Sequence, residues 1–424
     1  MPDFSWRSLL DGAARVEHPA LRQPVSLIVD DPAPAYNPAH FHSGFRRGPL
    51  RIPPTLIDQF ADLIEATGIR GKFSVIPNPF GLGRVDREVQ GVDAAELGHF
   101  LDVVRARIAP RMDITPEVLT HWNALDLGTG RLLPLWEHVW SRQQTRHSLT
   151  PYLSLALEIL NNVDLPCGGM TSPWDFGDGV EDDYAEALLD AQRAVNGRGL
   201  TWYFLHSDAA APHVPPRLAL FRPEAGEAVV SIVTCDSVDF GQALWWGDDP
   251  QPDLLLSADG HGRLAEVIRA GGPAVWHTHW QTIFGHGTPR GLDGVRAIAE
   301  RIEAHFGDRI GWIGCDALVR YTAAAAAVSL SPLGEPDSAH DPLDGPSARP
   351  PAIARWQTRA PFACRDFTLS LTRREPVREV LIDDVPMQRA TSRADLAEGR
   401  FLHEQDRLTL CWSLEGTQLI GVEA

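Results

Sequence analysis

The chain has 424 residues, of which 44% are hydrophobic and 22% are charged, and its formal net charge is −18 at pH 7. A chain of this length is too long to fold around one ordinary hydrophobic core. It therefore predicts two domains, one of them large. The dispersed acidic excess disfavours nucleic acid and anionic membranes as partners, because both are themselves negatively charged. The five cysteines include no Cys-x-x-Cys pair, which disfavours a thiolate zinc site and a disulfide framework.

The N-terminus has no basic segment followed by an apolar core, so it does not resemble a signal peptide. No segment approaches the roughly 18 uninterrupted apolar residues that a membrane span needs. We therefore expect a cytoplasmic protein with no membrane partner. The oligomeric state is left open.

Short apolar runs alternate with amphipathic segments through the first three-quarters of the chain. Thr55 is predicted to cap one helix, whose apolar stripe is followed by Gly68, and a later apolar stripe is followed by Gly307. The apolar runs are continuous, as in strands that are buried on both faces. Strand–helix alternation predicts parallel strands joined by right-handed crossovers. The runs are Val25–Val29, Phe73–Ile76, Gly168–Thr171, Thr201–His206, Val229–Thr234, Ala274–His277 and Ile310–Gly314.

About seven or eight strand–helix units predict an α/β fold, a closed (β/α)7–8 barrel, rather than an open doubly wound sheet. The predicted barrel domain covers residues 1–328. Residues 329–355 are rich in Pro, Gly, Ser and Asp and are predicted to form a linker or a long loop. Residues 356–424 contain alternating segments such as Phe367–Thr372, which predict a small antiparallel β domain that either binds sugar or braces the barrel.

The first predicted strand ends in Asp30-Asp31-Pro32. Active sites of parallel barrels lie where strands end. Adjacent carboxylates after an apolar run are costly unless they meet a metal, a cation or water. The two side chains point to different sides, so one can bind a metal while the other acts as a base. The alternative interpretation is a pair of turn-forming aspartates, because Asp-Pro is a common turn dipeptide.

His277 and His279 close a later apolar run, which places both on one face at the C-terminal end of a strand. Imidazoles are good ligands for zinc and other transition metals. One of the two can hold a metal while the other protonates a leaving group. A packed histidine is the alternative at either position.

Several of these segments are similar to motifs of the polysaccharide deacetylase family. The resemblance covers about residues 20–325 and is piecemeal, because no single motif matches fully and the first motif lacks its usual glycine. The similar segments are Val29–Pro32 for the first motif, Gly71–Pro77 for the second strand, Gly169–Trp174 for the third motif, Trp276–His279 for the late histidine motif and Trp312–Tyr321 for the closing strand and helix.

The resemblance implies a divalent-metal-dependent hydrolase that acts on an acylated sugar. It assigns Asp30 as the general base and Asp31 as a metal ligand. The family takes two further ligands from a His-x-x-x-His motif, and no pair in this sequence has that spacing. His121 is the best substitute and, with His277, completes the expected ligand set for a divalent metal, with zinc foremost. His279 is the expected second catalytic residue.

Four residues are expected to contact a small-molecule or oligosaccharide substrate. Asn37 and His42 lie in the loop after the aspartate pair, Trp174 follows a predicted strand, and Trp280 follows His279. Tryptophan faces stack well on sugar rings, although tryptophan is also a common core residue.

Three hypotheses for the function follow. The preferred one is deacetylation of an N- or O-acylated sugar by metal-activated water. The second is a glycoside hydrolase, in which Asp30 or Asp31 works with Asp175 or Asp236 across a cleft of about 5–9 Å and activity survives chelators. The third is a carbohydrate-binding barrel without catalysis, which the missing His-x-x-x-His motif permits.

Overall fold

The computed structural model describes residues 6–36, 51–236, 239–241, 249–333 and 353–423. These residues divide into two compact units, a larger one from residues 23–319 and a smaller one from residues before 23 and after 319. The predicted boundary at residue 328 is therefore displaced, because residues 320–328 and the N-terminal strands group with the C-terminal strands. Of the predicted linker, residues 329–333 form a strand, and residues 334–352 lie outside the described residues.

Strands are numbered along the chain. The first ten are β1 (Arg7–Leu9), β2 (Ala14–Val16), β3 (Gln23–Asp30), β4 (Gly71–Val75), β5 (Met112–Pro116), β6 (Asn123–Asp126), β7 (Arg131–Trp136), β8 (Gly169–Thr171), β9 (Leu200–Ser207) and β10 (Arg217–Arg222). The later strands of the described residues are β11 (Glu227–Thr234), β12 (Ala274–His279), β13 (Ile310–Trp312), β14 (Ser329–Leu333), β15 (Ile353–Thr372), β16 (Glu379–Ile382), β17 (Val385–Pro386), β18 (Gln388–Arg389), β19 (Arg400–Glu404) and β20 (Arg407–Glu423).

The α-helices are numbered in the same way. They are α1 (Thr55–Thr67), α2 (Ala94–Val103), α3 (Glu137–Ser141), α4 (Arg146–Asn161), α5 (Glu181–Asn196), α6 (Arg263–Ala270), α7 (Trp280–Ile283), α8 (Arg290–Phe306) and α9 (Cys315–Ala327). No helix among the described residues is long and apolar enough to cross a lipid bilayer.

The larger unit has a mixed α/β architecture with parallel sheets, which confirms that part of the fold prediction. One sheet has the order β12-β3-β4-β5, with β13 also paired to β3, and all of its pairs are parallel. The other sheet has the order β10-β11-β9-β8, and within it β10 is antiparallel. Strands β6 and β7 form a separate antiparallel pair.

The apolar runs and stripes of the sequence form the core of the larger unit. Strand β3 is buried along its whole length, as its continuous apolar run predicted. Helix α1 buries Ile57, Phe60 and Ile64 and ends at Gly68, whose positive φ of 71° suits a residue without a side chain. The helix begins at Thr55 itself and Pro54 is its N-cap residue, so the prediction of Thr55 as the cap was wrong by one position.

The smaller unit is built on one sheet of nine strands within the described residues. Its central strands β15 and β20 are long and antiparallel, and β2 pairs antiparallel with β15. The β18–β19 pair is parallel. Residues 408–412 of β20 are all buried, and buried and exposed residues alternate only in short stretches farther along the strand.

Candidate metal centre

Polar residues at the ends of several parallel strands gather in one region of the larger unit. Asp30, the last residue of β3, is in register with His279, the last residue of β12. Glu117 follows β5 directly and pairs with Thr171, the last residue of β8. Neighbouring residues in register on parallel strands share a face of the sheet, so separate segments bring their side chains together.

Asp31, Glu117 and His121 form the candidate metal centre. The Nε2 atom of His121 lies 2.6 Å from Oδ1 of Asp31 and 3.3 Å from Oε1 of Glu117. One possible ligand atom from each residue lies within 4.8 Å of the other two, and all three side chains are buried. Among the described residues, this is the group whose spacing suits a metal ion.

The protein holds these three side chains in place through strained backbone and specific hydrogen bonds. Asp31 and His121 have left-handed backbone, with φ of 70° and 51°. Such conformations cost roughly 1–3 kcal/mol each and persist only where the surroundings fix them. The Asp31 backbone N–H and the Ser74 hydroxyl both donate to Oε2 of Glu117 at 2.6 Å. Glu117 therefore keeps Oε1 directed at the other two ligands.

The charges of the centre oppose one another. Burial raises the pKa of Asp31, but His121 and His279 hold that pKa well below its usual value. Burial and the Asp31 carboxylate raise the pKa of Glu117 well above its usual value. Burial lowers the pKa of His121, but Asp31 and Glu117 raise it to about 10. Two buried carboxylates thus need positive charge beside them, which a protonated His121 or a bound divalent cation would supply.

The donor set fits a divalent metal. One imidazole nitrogen and two carboxylate oxygens are ligands that zinc and other first-row transition metals accept. Three protein ligands leave a position for water or substrate, which is the pattern of catalytic rather than structural sites. The donors do not select one metal.

A second layer fixes the loop that carries His121. The buried Glu137 carboxylate accepts hydrogen bonds from the backbone N–H groups of Thr120 at 3.0 Å and His121 at 2.9 Å. The hydroxyl of Tyr152 donates to the same carboxylate at 2.6 Å. Burial raises the pKa of Glu137 to about 7, against the lowering effect of these bonds. Glu137 therefore positions His121 by binding the backbone of the loop that carries it.

Asp30 is bound to a buried lysine rather than to the ligand group. Lys72 on β4 has no exposed surface, and its ammonium contacts Oδ1 of Asp30. The same ammonium donates to the Thr171 hydroxyl at 2.6 Å. A charge-assisted bond of this kind fixes the Asp30 carboxylate in one orientation next to the candidate metal centre.

His277 and His279 each form a pair with a buried aspartate. Nδ1 of His277 lies 3.0 Å from Asp236, and Nδ1 of His279 lies 2.8 Å from Asp239. The two imidazole rings are 5.3 Å apart, which places them on one face of β12 as predicted. Because Nδ1 faces the aspartate in each pair, Nε2 lies on the opposite edge of each ring.

The protonation of His279 depends on the aspartates around it. Burial lowers the pKa of His279, but its bond to Asp239 and the charge of Asp31 raise that pKa to about 10. Asp239 is itself held by the Thr282 hydroxyl, which donates to it at 2.5 Å. The raised pKa favours the protonated form of His279 at neutral pH, and His279 lies in register with Asp30 on the neighbouring strand.

The structure brings together four of the five side chains expected to be catalytic or to bind metal. Asp30, Asp31, His121 and His279 lie in one region. His277 is paired with Asp236 and is not a member of the three-residue ligand group.

The expected substrate contacts have different outcomes. Trp174 is 54% exposed. Trp280 is only 1% exposed and packs against Phe60 and Phe73 in the core, so the expectation that it contacts substrate was wrong. Asn37 and His42 lie outside the described residues.

Glu117 is the member of the candidate metal centre that sequence reasoning missed. It stands four residues before His121, so the chain contains Glu-x-x-x-His where the resembling family has His-x-x-x-His. The family motif would pair His121 with a second histidine, and none stands four residues to either side of it. A carboxylate at the same spacing on the upstream side was the available signal.

Comparisons with known proteins give only distant similarities. No family model and no curated protein matches the chain. A solved structure of a probable polysaccharide deacetylase from Pseudomonas aeruginosa PAO1 has 10% identity and a TM-score of 0.41, with 70% of this chain and 89% of that chain covered. Puue allantoinase has 12% identity and a TM-score of 0.40, with 71% and 91% covered. Such similarities assign neither a family nor an activity to this chain.

Proposed function

We propose that this chain is a metal-dependent hydrolase that removes an acyl group, most simply an acetyl group, from a carbohydrate. The observation that carries the proposal is the meeting of a buried Asp-Glu-His group with two further charged pairs at the ends of parallel strands. The pairs are Asp30–Lys72 and His279–Asp239. Together they supply a metal site, a proton acceptor and a proton donor, which are the groups that amide or ester hydrolysis needs.

A closed barrel is part of the proposal. Two backbone hydrogen bonds between the sheets support it, from Val118 to Thr171 at 3.0 Å and from Cys235 to Val275 at 2.7 Å. These bonds lie at the β5–β8 and β11–β12 boundaries, where a ring of parallel strands would close. Closure would direct all of the strand ends described above into one mouth.

In this proposal Asp31, Glu117 and His121 would hold the metal. A bound divalent cation lowers the pKa of water and stabilises negative charge on a carbonyl oxygen. Asp30 accepts the proton of the attacking water, because it is a carboxylate beside the ligand group and is fixed by Lys72. Lys72 thereby orients the base and balances its charge.

His279 donates a proton to the leaving oxygen or nitrogen. Its Nδ1 is held by Asp239, which directs Nε2 to the opposite side and fixes the ring orientation. The raised pKa of His279 keeps the imidazolium form at neutral pH, which is the form that a proton donor requires.

Metal removal tests the proposal directly. We expect the purified protein to contain about one equivalent of a divalent transition metal, one for the ligand group found among the described residues. Chelation should abolish release of acetate from an acetylated oligosaccharide, and re-addition of zinc or another divalent metal should restore it. Metal analysis and an acetate assay measure this. Activity that survives full chelation, with cleavage of glycosidic bonds instead, would support the glycoside hydrolase hypothesis and reject this one.

Asp239→Asn should change the pH dependence of activity. His279 loses its proton as pH rises through its pKa, so activity is lost on the alkaline side. Removal of the Asp239 charge lowers the pKa of His279, so the alkaline limb of kcat/KM should move down by about 1–3 pH units. A pH–rate profile checks this. Asp236→Asn is the matched control and should leave that limb in place; if Asp236→Asn alone moves it, His277 is the proton donor instead.

A further inference from the structure

Thr171 lies in the segment Gly169–Trp174, to which the proposed function assigns no residue. Its hydroxyl accepts a hydrogen bond from the Lys72 ammonium at 2.6 Å. Thr171 is 1% exposed, and Lys72 has no exposed surface. An ammonium has only donors and is costly to bury unless they are satisfied, so this hydroxyl helps to stabilise Lys72 in the interior.

Three groups around the Lys72 ammonium determine its direction. The Asp30 carboxylate and the Thr171 hydroxyl accept its hydrogen bonds, and the centre of the Phe204 ring lies 5.4 Å from Nζ. Thr171 on β8 and Phe204 on β9 are in register, so their side chains share a face. Asp30 balances the charge and Phe204 adds a cation–π attraction, whereas Thr171 is a neutral acceptor with a directional bond. Loss of the Thr171 hydroxyl would therefore change the direction of the ammonium without changing any charge.

The Thr171 hydroxyl is itself in contact with a second buried hydroxyl. Oγ1 of Thr115 lies 2.8 Å from Oγ1 of Thr171, and Thr115 has no exposed surface. A hydroxyl has one donor and two acceptor positions. Because Oγ1 of Thr171 accepts from Lys72, its own proton is available to Thr115. The contacts thus run from Asp30 through Lys72 and Thr171 to strand β5, which carries Thr115.

The backbone of Thr171 has a separate role from its side chain. Its carbonyl accepts a hydrogen bond from the Val118 N–H at 3.0 Å, and Thr171 forms a parallel bridge with Glu117. Neither contact uses the hydroxyl, so a change of side chain should leave Glu117 in place. The effect of Thr171 on Lys72 can therefore be tested without disturbing the candidate metal centre.

We infer that the Thr171 hydroxyl is a positioning group for the proposed reaction: it directs the Lys72 ammonium at the Asp30 carboxylate and so fixes the orientation in which that carboxylate accepts a proton. The inference rests on the proposed function for the role of Asp30. Thr171 acts through Lys72 and not on the reacting atoms. Its hydroxyl therefore determines the rate of the chemical step rather than the binding of metal or substrate.

Thr171→Val tests the inference, because valine keeps the branched shape and lacks the hydroxyl. On an acetylated oligosaccharide, kcat should fall by about 10–100-fold with little change in KM, and the metal content should stay that of the unaltered chain. Thr171→Ser returns the hydroxyl and should recover most of the lost kcat. Thr201→Val is the matched control, since the buried Thr201 hydroxyl donates to the Gly168 carbonyl at 2.9 Å, and it should keep kcat.

NMR of the full chain labelled in lysine gives a readout that needs neither substrate nor activity. Lys72 is the only lysine, so its side chain gives one signal. That signal should shift in Thr171→Val, return towards its original position in Thr171→Ser and stay in place in Thr201→Val. If Thr171→Val does not fold, Thr171→Ala removes the same hydroxyl and is read in the same way.

Two results would overturn the inference: a lysine signal that ignores the loss of the Thr171 hydroxyl, or a kcat that falls equally in Thr171→Val and Thr171→Ser. Loss of metal together with kcat in Thr171→Val would also overturn it, since the residue would then support the whole site. If the lysine signal responds as expected but the unaltered chain binds no metal and releases no acetate, Thr171 still directs Lys72 and the hydrolase proposal falls.

Discussion

Replacing His121 with alanine is expected to remove the metal from the purified protein and, with it, the hydrolytic activity. In the candidate metal centre, His121 would supply the nitrogen ligand, and its Nε2 lies within 3.3 Å of a carboxylate oxygen of both Asp31 and Glu117. Loss of an outer partner of a metal ligand already costs about 10–100-fold in affinity, and loss of the ligand itself should exceed that range. Metal analysis after dialysis and kcat on an acetylated oligosaccharide provide the two measurements.

The His121→Ala variant should also lose the stabilisation that metal gives to the folded state. A ligand that binds only the native protein raises the midpoint of thermal unfolding, so added zinc should raise it for the unaltered chain and not for the variant. Glu117→Gln keeps the size of a ligand but removes its charge, and it should give an intermediate loss of metal.

His99→Ala is the matched control for His121→Ala. His99 lies on α2, and its Nε2 is 2.8 Å from Asp58 at the protein surface. This control should keep the metal and the activity. A His121→Ala protein that retains a full equivalent of metal and its kcat would show that the ligand group is elsewhere.

The parallel strands and their ends were predictable because burial on both faces leaves a strong local signal. The seven apolar runs coincide with β3, β4, β8, β9, β11, β12 and β13. From these strand ends, Asp30, Asp31 and His279 could be placed in one region before any coordinates. Strand β5 gave no such signal, because Met112–Pro116 contains Asp113, Thr115 and a terminal proline. Glu117 follows that unrecognised strand, which is why the second carboxylate ligand was missed.

Other features depend on contacts that no local pattern records. The N-terminal strand β2 pairs with β15, whose partner residues lie about 350 positions later in the chain. Helix α7 begins at Trp280. In that position the ring of Trp280 points into the core, where it packs against Phe60 and Phe73. Sequence reasoning could recognise the aromatic residue but not its direction.

Lys72 was the most informative signal left unused. It is the only lysine in the sequence, and every other basic residue counted with it is arginine. A lysine inside a buried strand is rare unless it is paired. The combination of one lysine, a buried strand and a neighbouring strand that ends in two aspartates therefore indicated the Asp30–Lys72 pair.

Lys72→Met should be the most destabilising single change at the site. The variant leaves the Asp30 carboxylate buried without its cation, and removal of one partner of a buried ion pair costs about 3–5 kcal/mol. Activity should fall as well, since the base loses the group that orients it. Urea unfolding measures the free energy, and the acetate assay measures the activity.

The double variant Lys72→Met with Asp30→Asn distinguishes charge from packing. Removing both charges should recover most of the lost free energy of unfolding, because no unpaired charge stays buried. Activity should not recover, since the proposed base is gone. If the double variant is as unstable as Lys72→Met alone, the effect comes from lost packing of the lysine stem rather than from the Asp30 charge.

Lys72→Arg tests why this position holds the chain's only lysine. Lys72 has no exposed surface and contacts both Asp30 and Thr171, so the compact ammonium fits where the wider, planar guanidinium does not. We expect Lys72→Arg to keep the charge but to lower both stability and kcat. Isotope labelling of lysine gives a single side-chain NMR signal in this protein, and that signal should shift on Asp30→Asn and stay unchanged in His99→Ala. An arginine variant with unaltered stability and kcat would show that only the positive charge matters at this position.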